Sequence, residues 1–157
     1  MYSSPGYFGP HGHIVPTDHG PLYPWHLVYI EEGVGITMCD TTGQGVHGIV
    51  LPENKQVVKD ADATECDNYF TDGEHCTIED REHIQTLVYT GGVIAIYSSV
   101  MTDGLGRAIQ WVGGNLYMDC GISLQDPAGG PDELIWIHFH PAGAGAGHET
   151  DSVEAQA

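Results

Sequence analysis

Positive charge is the scarcest feature of this sequence. Only Lys55, Lys59, Arg81 and Arg107 oppose 22 Asp and Glu residues, a formal net charge of −18 over 157 residues. A nucleic-acid binder neutralises phosphates with clustered cations, which four scattered ones cannot supply, so no nucleic-acid partner is expected. The same shortage removes electrostatic anchoring to anionic membranes. No apolar run approaches the ~20 residues of a membrane-spanning helix, so no membrane association is expected. The string MYSSPGYFGPHGHIVPTDHG has no basic n-region and no apolar h-region, and Sec export is not expected. Cys39, Cys66, Cys76 and Cys120 form no Cys-x-x-Cys pair, leaving a zinc ribbon or thioredoxin-like motif unsupported. There is no Gly-x-Ser-x-Gly elbow and no carboxylate pair that the sequence places across a cleft. The chain is expected not to be an enzyme and to need no cofactor.

What the sequence does hold is turn chemistry. With 22 Gly, 9 Pro and 41% hydrophobic residues, an all-β fold is expected, a small hairpin-rich β-barrel or sandwich. Residues 1–24 carry Pro5, Pro10, Pro16, Pro21 and Pro24, which forbid a helix and disfavour a central strand. They read as an extended arm, dotted with Tyr2, Tyr7, Phe8, Ile14, Val15, Leu22 and Tyr23, that lies on a partner or wraps its own domain.

A β domain follows over 25–141. Its expected strands are His26 to Ile30, Val34 to Cys39, Val46 to Leu51, Thr86 to Tyr89, Val93 to Tyr97, Ala108 to Val112, Leu116 to Leu124 and Leu134 to Phe139. Gly91-Gly92, Asp103-Gly104 and Gly113-Gly114 are expected to supply the positive φ of tight hairpins. The stretch 52–83 holds ten of the 22 acidic residues and reads as an exposed excursion. Residues 142–157, Gly/Ala-rich and acidic, predict a flexible tail. The acidic bias as a whole fits a protein kept soluble in concentrated salt, where screening relieves self-repulsion.

Several local patterns touch on chemistry. Gly43-Gln44-Gly45-Val46-His47-Gly48 matches Gly-x-Gly-x-x-Gly, but a strand-like run stopped by Pro52 follows it where a dinucleotide site needs a helix. His138 and His140 share one face of a strand, with His148 and Glu149 following, a spacing that cupin barrels use for a two-histidine, one-carboxylate metal set; but in cupins the motif is followed by much more barrel, whereas 17 residues follow His140, and no metal site is expected. His11-Gly12-His13 is a second pair, in the arm, where a fixed ligand shell would need tertiary support. Cys66 and Cys76 are candidates for a disulfide, whereas Cys39 and Cys120 sit in apolar strands as core thiols. Asp60, Asp62, Glu65 and Asp67 are dense enough only for loose cation binding, since the Gly and Glu of a calcium loop are absent.

The order of elements resembles the capsid decoration, or head-stabilising, proteins of tailed viruses. The likeness runs from Val50 to Asp67 and from His83 to Pro141. It is carried by Gly91-Gly92-Val93, Asp103-Gly104, Gly113-Gly114, Gly121-Ile122-Ser123-Leu124 and the final apolar strand Leu134 to Phe139. The acidic stretch and the His-rich final strand depart from the compact members. The resemblance implies a small, commonly trimeric β domain on the outer capsid surface of a virion, made in the host cytoplasm and bound to the major capsid protein. The acidic bias points this resemblance toward a haloarchaeal virus. The arm would then add a strand to a capsid sheet edge, with Tyr2, Tyr7, Phe8, Tyr23 and Trp25 as anchors. Alternatives are a turret or tail component, or a cupin-like metal-binding barrel using His138 and His140.

Overall fold

The computed structural model describes residues 10–55, 68–126 and 131–141. Tyr2, Tyr7, Phe8, Cys66, the Asp60 to Asp67 cluster and the tail 142–157 lie outside the described residues. All ten elements defined among them are β-strands, in two five-stranded antiparallel sheets, and the expected all-β class takes the form of a sandwich.

The first sheet contains β1 (His11–Ile14), β2 (Leu27–Glu31), β3 (Gly35–Met38), β4 (Gly48–Val50) and β5 (His75–Glu79), in the order β1-β5-β4-β2-β3. The second contains β6 (Ile84–Tyr89), β7 (Ser99–Thr102), β8 (Ala108–Gln110), β9 (Gly121–Ser123) and β10 (Leu134–Phe139), in the order β6-β10-β9-β7-β8. Each sheet is thus drawn from one contiguous half of the chain.

Strand alternation decides which side chains meet between the sheets. Leu27 and Ile49, paired across β2 and β4, point inward with Val46 and Cys39 onto Val88, Val100, Ile135, Ile137 and Phe139. Their chain neighbours Val28 and Val50 point the other way and join Ile36, Cys76 and Ile78 in a second core on the far face of the same sheet. That far face is covered by Val15, Leu22 and Phe70. Leu22 and Phe70 exchange backbone bonds, N–H to O at 2.9 Å in each direction. Full burial of these three side chains contributes roughly 5–9 kcal/mol before ordering entropy is subtracted.

Part of the proline-rich segment therefore wraps its own domain. Residues 11–14 pair with β5, His11 opposite Ile78 and Ile14 opposite His75, so the edge of the sheet is made by a stretch whose prolines flank the strand. The acidic stretch likewise returns into the sheet at its C-terminal end, where β5 buries Cys76, Ile78 and Glu79. Glu79 is a carboxylate in a 5%-exposed setting, held by Arg81 through Nη2 at 2.8 Å and Nε at 2.9 Å.

Other departures from the expected strands are local. Val93 to Tyr97 is not a strand: only Ile94 is buried, Val93 and Tyr97 are 79% and 72% exposed, and Tyr97 has φ 64°. The strand lies later, at Ser99–Thr102. In the β7–β8 turn the positive φ falls on Gly106, not Gly104, because the Asp103 carboxylate accepts the Leu105 and Arg107 N–H groups and sets the turn two residues on. Gly113 and Gly114 take positive φ as expected, whereas Gly91 and Gly92 do not.

Candidate partner-contact surface

The two sheets differ in what covers their outer faces. On the first, Val15, Leu22 and Phe70 cover the core residues Val28, Val50, Cys76 and Ile78, while Ile30 stays 46% exposed. On the second, β10 turns Ile135, Ile137 and Phe139 inward and leaves Trp136 45% exposed. Ile122 on β9 stands opposite His138 and is 42% exposed. The 93–97 loop is tied to the same strand through the Tyr97 N–H to Ser123 O at 2.9 Å and the Ser123 hydroxyl to Ala95 O at 2.6 Å. Val93, Ile96 and Tyr97 thus stand exposed beside β9, and Val112 and Leu116 are exposed after β8. Single exposed apolar side chains need no explanation, but a grouping along one sheet is the usual mark of a contact surface.

Tyr23 and Trp25, expected as partner anchors, are placed at the seam of the two sheets. Tyr23 is 38% exposed and stacks on His26 and Tyr69, with ring centroids 5.5 and 5.2 Å away. It lines a cleft of about 400 Å³ with His26, Met38, Leu105, Arg107 and Asp132. Burial holds the His26 imidazole below its ordinary pKa. Trp25 packs against the inter-sheet core, and its backbone bridges the sheets, donating to Val50 O at 2.7 Å and accepting from Tyr89 N at 3.0 Å.

The structure brings His138 and His140 together with His83, a partner the sequence reading missed because it lies 55 residues away. His83 Nδ1 is 3.3 Å from His138 Nε2, and His140 Nε2 is 3.4 Å from Asp119 Oδ2. Among the described residues, however, the three His, Cys, Asp or Glu donors that converge within 4.8 Å of one another are His13, His47 and Asp80. Glu149 and His148 lie outside the described residues.

Gly43 to Gly48 forms a loop and the start of β4, with no helix after it; Gly43 N–H bonds to Thr102 O, docking the loop on the second sheet. Cys39, Cys76 and Cys120 are free, buried thiols, and burial pushes the Cys39 and Cys76 thiols up to about 12. Each cation among the described residues is paired: Lys55 with Glu74, Arg81 with Glu79, and Arg107 with Asp103 and Asp132. Among the described residues, the few positive charges stabilise the fold locally and build no basic patch.

No protein-family description and no curated protein sequence matches the chain. Among solved structures it is similar to the N-terminal base of the head fibre protein gp8.5 of bacteriophage phi29. The similarity has a TM-score of 0.59 at 9% identity and covers 83% of this chain and 92% of that one. At that identity the likeness is one of fold.

Proposed function

We propose that this protein is a structural, non-enzymatic component of a tailed-virus head, seated on the outer capsid surface as a decoration protein that reinforces the lattice. The observation that carries this reading is the shared two-sheet fold with a phage head-fibre base over 83% of the chain. Two features of the molecule support it. One outer sheet face is largely covered by Val15, Leu22 and Phe70, while the other leaves Ile122, Trp136 and the Val93 to Tyr97 loop exposed. In sequence, Tyr2, Tyr7 and Phe8 precede β1, an edge strand, and in this reading they add a strand to a sheet edge of the major capsid protein.

Cement of this kind acts by mass action. A component that binds only the mature lattice stabilises it by its binding free energy at every site, so modest individual contacts suffice. The acidic surface suits a virion in concentrated salt, and a trimer suits a lattice with threefold positions. A fibre or turret base is the second reading, favoured because the similar phage protein is a head-fibre base.

The test is co-sedimentation of the purified protein with capsids lacking it, followed by imaging of the decorated particles. Binding at a fixed ratio on the lattice supports the decoration role, and density confined to the foot of a protruding fibre supports the second reading. A protein that stays in the supernatant at every salt concentration overturns both. Within the leading reading, deletion of residues 1–9 or the pair Ile122→Ser with Trp136→Ser is expected to lower occupancy at least tenfold.

A further inference from the structure

We propose that His13, His47 and Asp80 form a binding site for one divalent transition-metal ion of the zinc class, with His11 positioning the Asp80 carboxylate. The inference rests on this chain's own geometry and is independent of the head-associated reading.

Three neighbouring strands assemble the group. His13 lies on β1 opposite Cys76 of β5, Asp80 follows the last residue of β5, and His47 precedes the first residue of β4. One ligand atom from each of the three residues falls within 4.8 Å of the others. His47 Nε2 stands 3.5 Å from Asp80 Oδ2, and the His13 and His47 rings meet edge-on with centroids 6.2 Å apart.

The independent sign of a ligand is His13 Nε2. It is shielded from solvent and has no hydrogen-bond partner among the described residues. A buried ring nitrogen left without a partner is unfavourable, and a metal ion is one of the few groups small enough to satisfy it in this setting. Two imidazoles and one carboxylate form an N₂O set that suits zinc, cobalt or nickel; calcium and magnesium prefer shells of oxygen.

His11 supplies the outer support that such sites use. Its Nδ1 lies 2.9 and 2.8 Å from the two Asp80 oxygens, as second-layer hydrogen bonds do when they orient a metal-binding carboxylate. An ion here would fasten β1, whose one neighbour in the sheet is β5, to the start of β4.

The full chain, without a polyhistidine tag, is titrated with Zn²⁺ by calorimetry and with Co²⁺ by visible absorption. One equivalent is expected to bind. His13→Gln, His47→Gln and Asp80→Asn should each weaken binding at least tenfold and His11→Gln by a smaller factor, while His138→Gln leaves it unchanged. Circular dichroism checks that the variants fold. In the unsubstituted chain, ¹⁵N spectra of the imidazoles should show Zn²⁺ moving the His13 and His47 ring nitrogens and leaving those of His26, His83 and His138 in place. Absence of stoichiometric binding, full-strength binding in both His13→Gln and His47→Gln, or shifts centred on His83 and His138 would overturn the proposal.

Discussion

Glu79 shows how this protein handles charge at the level of single residues. A carboxylate buried in a sandwich must be answered locally, and Arg81, two residues on, does so with two side-chain bonds and one from its backbone. Replacing Arg81 with Ala leaves the acid buried without that bidentate partner, and a loss of about 2–3 kcal/mol is expected by denaturant titration. Arg81→Lys should recover only part of it, because an ammonium cannot make the fork.

Titration gives a second residue-level expectation. His13 and His26 are both held below their ordinary pKa, chiefly by burial. The unfolded chain therefore takes up protons first, and stability should begin to fall as pH drops below about 6.5. Asp72, Glu74 and Asp80 also have lowered pKa values. Asp72 is bonded by the Asp18 and Gly20 N–H groups, Glu74 by the Thr71 N–H and then Lys55, and Asp80 by His47 and His11 against the opposing effect of burial. Their contribution is complete above the unfolded carboxylate range near pH 4 and is lost as pH falls through their lower folded values, giving a second decline. Melting temperature followed from pH 8 to 2.5 should resolve two stages, and His26→Asn should shrink the first; a single transition confined to low pH would contradict the assignment.

Among elements, β4 lies tight against β5. A Cβ at Gly48 would sit 2.4 Å from Ile78 Cγ2 and 2.8 Å from the Glu79 carbonyl oxygen, so backbone as well as side chain would have to move. Gly48→Ala is expected to cost about 2–3 kcal/mol, read by thermal or chemical denaturation, as overpacking of a tight core does. Deletion of residues 1–24 removes β1, Val15 and Leu22 and should unfold the first sheet, read by loss of the cooperative melting transition.

Strands were legible where alternation or an apolar run was continuous, as in Leu134 to Phe139, matched to the residue. They were illegible where a different feature dominated the local composition. Prolines on both sides hid β1, and the polar, acidic surroundings hid β5, although Cys76 and Ile78 are wholly buried. Val93 to Tyr97 has the apolar content of a strand, yet its residues are turned outward beside β9. The His13, His47 and Asp80 group could not be read from the sequence either. His11-Gly12-His13 was visible as a pair, but its other partners come from loops 34 and 67 positions beyond His13 and are joined only by the β1-β5-β4 order.

At the scale of the whole molecule, a net charge of −18 outweighs any single pair. Like charges on one small domain repel, and screening reduces that repulsion over roughly 3 Å in 1 M salt against about 30 Å in 0.01 M. The melting temperature is expected to rise by several degrees between these conditions in NaCl, with most of the gain at the low end; a flat or falling profile would show that the charges are already compensated by the fold. Composition carried the all-β class, because frequent Gly and Pro with short apolar runs leave little room for long helices. The pairing order within each sheet was not legible, since it depends on contacts among residues remote in sequence.

The division of the two sheets between contiguous halves of the chain has a consequence during synthesis. Every strand of the first sheet has emerged once Glu79 leaves the ribosome, and its far face can close on Val15, Leu22 and Phe70 at once. The second sheet cannot close so early. β10, the last strand to appear, sits between β6 and β9 and joins the first strand of that half to the other three. Until Phe139 is free of the exit tunnel, β6 has no partner in its sheet and the inward faces of Leu27 and Ile49 have no completed layer to meet. The nascent protein therefore passes through a half-built stage that exposes apolar surface, and a ribosome stalled between residues 80 and 134 would hold it in its most aggregation-prone form.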